Sequence, residues 1–139
     1  MDFAKKSIRP VIVTEQIPQS DAEKFQNEVL RPILKLQNEL LLEITKHFLQ
    51  KRKVKFESLS KQTRLDWIAH SLRNDNRMRG LLVGTIIGHF TVEEWHIFRT
   101  AEAELTRRIT EMMIKRIQDQ IGALLQDLNK SDDSKSSDL

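Results

Sequence analysis

A chain of 139 residues is the size of one ordinary domain and can bury a core without disulfide staples. It contains no cysteine, which excludes disulfides, zinc–thiolate sites and thiol catalysis. The 23 basic and 20 acidic residues leave a formal charge of only +3, which argues against nucleic acid as a partner. The N-terminus lacks the apolar core of a signal peptide, and no apolar run approaches the roughly 20 residues that cross a bilayer. We therefore expect a cytoplasmic protein without membrane contact.

Residues 1–19 predict an extended N-terminal arm. Pro10 and Pro18 surround the apolar run VIV at 11–13, and proline both fixes its own backbone and disfavours helix in the residue before it. A helical domain is expected over 20–128. The polar sequence NKSDDSKSSDL at 129–139 has almost no apolar content and predicts a disordered tail.

The first helix is predicted over 21–53. Ser20 suits the N-cap position because its hydroxyl can accept a hydrogen bond from the first helical turn, and apolar residues then recur three and four positions apart. Pro32 falls inside this pattern. Since proline removes a backbone donor and clashes with the preceding turn, we expect a kink or break near Leu30 and Arg31.

Two shorter helices are predicted over 60–74 and 78–88. The second contains Gly80, Gly84 and Gly88, which recur every fourth residue and so share one face. Glycine inside a helix costs roughly 1 kcal/mol relative to alanine, and the usual compensation is close approach of another backbone. Three independent glycines are the alternative, and Gly88 also suits a helix end.

The last and longest helix is predicted over 92–128. It opens with a capping box formed by Thr91 and Glu94, and no glycine or proline interrupts 92–121. At 1.5 Å per residue this helix would be roughly 55 Å long. One short helix cannot bury the apolar stripes of two long ones. We therefore predict an all-α bundle of about four helices, two long and two short, that forms a homodimer.

The strongest chemical pattern is HFTVEEWHIF at 89–98. Glu93 and His96 are three apart on a helix, which is the spacing of the inward-facing Glu-x-x-His pair of di-iron carboxylate bundles. Glu43 and His47 on the first helix could complete a site for a divalent metal ion. The alternative is an ordinary helix start, in which the glutamates favour the N-terminal turn. No catalytic residue and no other cofactor are assigned.

Basic residues cluster at three places, and we interpret each cluster as the solvated face of a helix. A phosphate-binding surface is the weaker interpretation, because tyrosine is absent and glutamates are interspersed in the last cluster. The clusters are Lys51, Arg52, Lys53 and Lys55; Arg73, Arg77 and Arg79; and Arg107, Arg108, Lys115 and Arg116.

Two stretches, FQNEVLRPILKLQNELL at 25–41 and GLLVGTIIGHFTVEEW at 80–95, carry a resemblance to a known family. Over residues 20–125 the chain resembles a family of short, mostly uncharacterised all-helical bacterial proteins, some of which carry the label glyoxalase. The resemblance implies a helical fold and brings no functional residues with it.

These patterns favour a non-enzymatic interaction or scaffolding protein that associates with itself or with another protein. Its expected surfaces are the glycine face, the arm and the last helix. A metal-binding bundle or metal-dependent enzyme that uses Glu43, His47, Glu93 and His96 is the second hypothesis. Nucleic-acid binding through the basic clusters is the third.

Overall fold

The computed structural model of the chain describes residues 2–10 and 20–126, and within these ranges it contains helices and no strand, which confirms the all-α class. No helix in the described part of the chain is long and apolar enough to cross a membrane. A π-helical segment (Gln26–Leu30), a 3-10 turn (Phe56–Ser58) and a helical stretch at 121–126 accompany eight α-helices. These are α1 (Asp2–Ser7), α2 (Asp21–Phe25), α3 (Arg31–Leu36), α4 (Asn38–Lys51), α5 (Lys61–Asn74), α6 (Asn76–Ile87), α7 (Val92–Thr100) and α8 (Glu102–Gln118).

The expected count of about four helices is wrong because the two long predicted helices are broken. The first becomes α2, the π segment, α3 and α4. The π segment ends at Leu30, where a kink or break was predicted, and the helix continues through Leu30 and Arg31 with helical backbone angles, so it is irregular there but not broken. Proline lacks an N–H and its ring clashes with the carbonyl four residues earlier, and the wider π turn accommodates both effects just before Pro32. The break in this helix lies at Gln37, which separates α3 from α4.

The last predicted helix is broken at Ala101, whose backbone angles of φ −138° and ψ 42° lie outside the helical region. The longest helix is therefore α8, with 17 residues and a length of roughly 26 Å rather than 55 Å. The break lets Phe98 before it and Leu105 after it both reach the core, where they are 1% and 2% exposed. Trp95, expected on the same buried stripe, is 41% exposed.

The N-terminal region also differs from the prediction. Asp2–Ser7 forms α1 instead of an extended arm, because DFAKKS contains neither proline nor a β-branched residue and Pro10 lies beyond the helix end. The expectations for the run VIV at 11–13 and for the tail at 129–139 fall outside the described residues.

The core is organised around α8. Leu105, Ile109, Met113 and Ile117 recur every fourth residue along it and are almost fully buried. This face packs against α5, α6, α4, α7 and the π segment. Full burial of each such side chain contributes about 1.5–3 kcal/mol, so α8 is fixed in position and its charged faces border the helices beside it.

The glycine face of α6 does not contact another backbone in the described part of the chain. Gly80 and Gly84 are exposed, and a Cβ added at either position would meet no atom within 4 Å. The predicted close approach is therefore absent among residues 2–10 and 20–126. Gly88 ends α6 as its C-cap, as predicted.

The boundary between α5 and α6 is formed by Asp75. Its carboxylate accepts a hydrogen bond from the backbone N–H of Met78 at 3.1 Å and forms an ion pair with Arg52 at 3.0 Å. The hydrogen bond from Met78 is the main cause that lowers the pKa of Asp75, with a smaller contribution from Arg52. Asp75 is therefore ionised at neutral pH and satisfies one of the free N–H groups of the first turn of α6.

We expect Asp75→Ala to lower the free energy of unfolding by about 1–2 kcal/mol, because an N-cap is lost. Urea denaturation at neutral pH measures this. Asp75→Asn retains a capping oxygen and should lose less than half as much. Equal losses in the two variants would show that the charge facing Arg52, and not the cap, is the stabilising element.

Candidate functional site

The structure does not bring together the four residues of the predicted metal site. Glu43 and His47 lie on the exposed face of α4, where Glu43 pairs with Lys46 at 2.8 Å, and Glu93 and His96 are exposed on α7. In the described part of the chain, no three His, Cys, Asp or Glu side chains gather closely enough to hold a metal ion. The cluster is not formed because each Glu and His pair points into solvent rather than towards the other helix.

The stretch HFTVEEWHIF instead begins α7 and anchors the N-terminal segment. The predicted capping box is confirmed: the N–H of Thr91 donates to Glu94 Oε1 at 2.9 Å, and the N–H of Glu94 donates to Thr91 Oγ1 at 3.1 Å. Arg9 donates to both carboxylate oxygens of Glu94, at 2.8 and 2.9 Å, and to the carbonyl of His89. Lys5 donates to the carbonyl of Phe90 at 3.0 Å.

The Arg9–Glu94 ion pair is buried, with side chains 7% and 8% exposed. Burial alone would raise the pKa of Glu94, but hydrogen bonds from Arg9 and from the backbone of Thr91 outweigh it and the pKa is lowered. Nearby, burial and then the charges of Arg9 and Lys5 lower the pKa of His89. Glu94 and His89 therefore have a structural role in this stretch.

A groove of about 890 Å³ lies between α8 and the π segment with α3. Two polar contacts span it. Arg108 donates to the side chain of Gln26 at 2.8 Å, and Asn38 and Gln120 exchange amide hydrogen bonds of 2.7 and 2.8 Å. Both contacts join residues 82 positions apart, so the two walls run in the same direction and in register.

Positive charge dominates the lining of this groove. Except for Arg108, which pairs with Glu104 at 3.2 Å, its cations make no hydrogen bond or ion pair within residues 2–10 and 20–126. They are therefore free to meet a ligand. The cations are Arg31, Arg107, Arg108, Lys115 and Arg116, and the carboxylates are Glu111 and Asp119.

Arg31 and Arg116 face the groove from opposite walls. Burial and then the charge of Arg31 lower the pKa of Arg116, so two like charges are held near each other. Glu111 is already engaged by two guanidinium nitrogens of Arg73, Nε and Nη2, at 3.0 and 2.9 Å, and this hydrogen bonding is the main cause of its lowered pKa. An anion between Arg31 and Arg116 would relieve their repulsion.

The sequence indicated part of this site. Arg107, Arg108, Lys115 and Arg116 form the last basic cluster, but their glutamate neighbours favoured a solvated face. Arg31 was missed because it is a lone cation with no local signal, and only the register between the two walls places it opposite Arg116.

Comparison with models of protein families, with curated proteins and with solved structures finds no match for this chain. The function is therefore inferred from the chemistry of the groove.

The Arg9–Glu94 pair gives a test of the N-terminal anchor. Glu94→Gln keeps the side-chain shape and a capping oxygen but removes the charge, and we expect a loss of about 2 kcal/mol in unfolding free energy at neutral pH. Since the pKa is lower in the folded protein, the advantage of the natural residue is complete above its unfolded value near 4.5 and disappears as the pH falls through the folded value.

Urea denaturation across this pH range measures the difference between Glu94→Gln and the natural protein. Glu93→Gln, an exposed neighbour, is the matched control and should change stability by less than about 0.5 kcal/mol. A difference for Glu94→Gln that persists unchanged in acid would contradict a role for the carboxylate charge.

Proposed function

We propose that this protein is a non-enzymatic binding module that holds a phosphate-bearing ligand in the groove between α8 and α3. The observation that carries the proposal is the set of cations around one groove that lack partners in the described chain. Hydrogen bonds between charged groups are roughly twice as strong as neutral ones, and the flat guanidinium group of arginine fits phosphate with two parallel bonds. Arg31 and Arg116 offer such groups from both walls.

The floor of the groove supports an organic ligand over inorganic phosphate. The lining includes Met112, which is partly exposed and offers apolar surface to a ring or sugar. Of the two lining carboxylates, Glu111 is held by Arg73 and Asp119 is exposed. This arrangement supports binding rather than acid–base catalysis, because Arg73 engages both carboxylate oxygens of Glu111 and holds it as the anion.

Self-association through the glycine face is the second candidate function. Leu81 lies among the exposed glycines of α6 and is 49% exposed, and Leu36 and Leu40 are 36% and 43% exposed. These two leucines flank Gln37, which donates to the carbonyl of Thr85 on α6 at 3.2 Å. Apolar side chains beside open glycines offer a surface that a second copy can approach closely.

Adenosine triphosphate without divalent metal is the probe for the groove, and isothermal titration calorimetry at low salt is the measurement. Arg116→Gln and Arg31→Gln should each weaken binding by about tenfold, or about 1.4 kcal/mol, because each removes a charged hydrogen-bond donor. Lys61→Gln removes one positive charge outside the groove and should leave binding within about twofold.

Two results would contradict the proposal. Absence of binding to the natural protein would remove the groove as a phosphate site. Equal weakening by Lys61→Gln would mean that general attraction, rather than the groove, accounts for binding.

Native mass spectrometry tests the second candidate. If the glycine face joins two copies, Gly84→Leu should convert dimer into monomer, because the larger side chain holds the two helices apart. Gly122→Leu is the matched control, since Gly122 is also exposed with no atom within 4 Å of an added Cβ. A dimer that survives Gly84→Leu, or a natural protein that is a monomer, rules out this face as the interface.

A further inference from the structure

A second groove, of about 460 Å³, lies on the other flank of α8, beside α5 and α6. Arg73 from α5 and Arg79 from α6 line it, and it shares Arg107 and Glu111 with the first groove. Arg107 and Glu111 are four residues apart on α8 and therefore form a single ridge between the two grooves. The two cavities border the same stretch of helix.

The two grooves concentrate the positive charge of the chain. Their linings together hold seven cations against three carboxylates, which leaves +4, whereas the whole chain carries only +3. Six of the seven cations are arginines, although lysines outnumber arginines in the chain. A surface of this kind attracts a polyanion through several contacts at once and favours bidentate contacts with phosphate.

We infer that the two grooves form one continuous track for a single strand of nucleic acid, which rests on the proposed phosphate-binding function. The lining residues of α8 extend from Glu102 to Arg116, a length of roughly 21 Å. A small ligand would fill only the first groove. A strand of about four or more nucleotides, the lower end of the usual site size on single-strand-binding proteins, would cross the ridge at Arg107 and reach Arg79.

The chemistry of the lining favours a single strand over a duplex and over an acidic protein. Met112 provides apolar surface beside the arginines of the first groove, and a single strand has base faces to place there, whereas a duplex stacks its bases on one another. Arginine also stacks on the bases of a nucleic acid, and an acidic protein offers no such bases. The linings contain no aromatic residue, so most contacts are with the sugar–phosphate backbone, and base contacts are limited to Met112 and the arginine planes and carry little sequence preference.

Glu111 opposes this binding at the ridge. Its charge faces the path of the strand, and it occupies two of the three donor nitrogens of Arg73, Nε and Nη2. Removal of the charge therefore releases Arg73 to a phosphate as well as ending the repulsion. Glu111→Gln should consequently increase affinity, a result that a damaged fold does not produce.

The experiment is fluorescence anisotropy at low salt with labelled oligothymidylates of about two and about eight nucleotides. The longer strand should bind at least about tenfold more tightly, because it reaches the second groove. Arg79→Gln should weaken binding of the longer strand by about tenfold and leave binding of the shorter strand unchanged. Glu111→Gln should strengthen binding of the longer strand several-fold. Glu57 is an exposed carboxylate outside both grooves, so Glu57→Gln should leave binding of both strands unchanged.

The outcomes separate this inference from the proposed function. The track would be overturned by equal affinity for both strand lengths, or by no effect of Arg79→Gln on binding. If Arg116→Gln still weakened binding in that case, the first groove would remain as a phosphate site. No effect of Arg116→Gln on either strand would overturn both. Equally strong binding of a duplex, or equally strong competition by polyglutamate of the same charge, would overturn the assignment to a single strand of nucleic acid.

Discussion

Burial of one face of α8 is the interaction on which the rest of the structure depends. Leu105, Ile109, Met113 and Ile117 hold this helix against five other helical segments, so it has little freedom to rotate or shift. Its polar residues must then border the neighbouring helices. The two grooves are the spaces left on either flank of α8, and their charge follows from which residues alternate with the apolar ones along it.

The π segment and Pro32 set the opposite wall of the first groove. The wider π turn changes the direction of the chain before α3 and lets Arg31 meet the groove while Pro32 itself is buried. The amide pair of Asn38 and Gln120 then fixes the register of this wall on α8. Holding arginines close together costs electrostatic energy, which the hydrophobic core offsets because it fixes both walls independently of the charges.

Glu94 and His89 belong to the stretch of the sequence that most suggested a metal site, and they have structural roles in the fold. Glu94 caps α7 and accepts hydrogen bonds from Arg9. Burial lowers the pKa of His89, which favours its neutral form. The residues with free charges are scattered through the chain and look ordinary one by one. Free energy explains the contrast: a buried carboxylate must be paired to be tolerated, whereas an exposed arginine in a groove can stay without a partner in water.

The sequence by itself determined the helical class, the caps at Ser20 and Thr91, and the position of the irregular turn before Pro32. These depend on hydrogen bonds and backbone geometry within a few residues, which local order encodes. The apolar face of α8 was readable too, because helical spacing makes it visible.

Only the tertiary structure decided the break at Ala101, the helical form of α1 against α7, and the separation of Glu43 and His47 from Glu93 and His96. It also decided that Arg31 meets Arg116. Each of these depends on which surfaces pack together across long sequence separations. The free energy of that packing is summed over the whole core, and no short segment of the chain carries it.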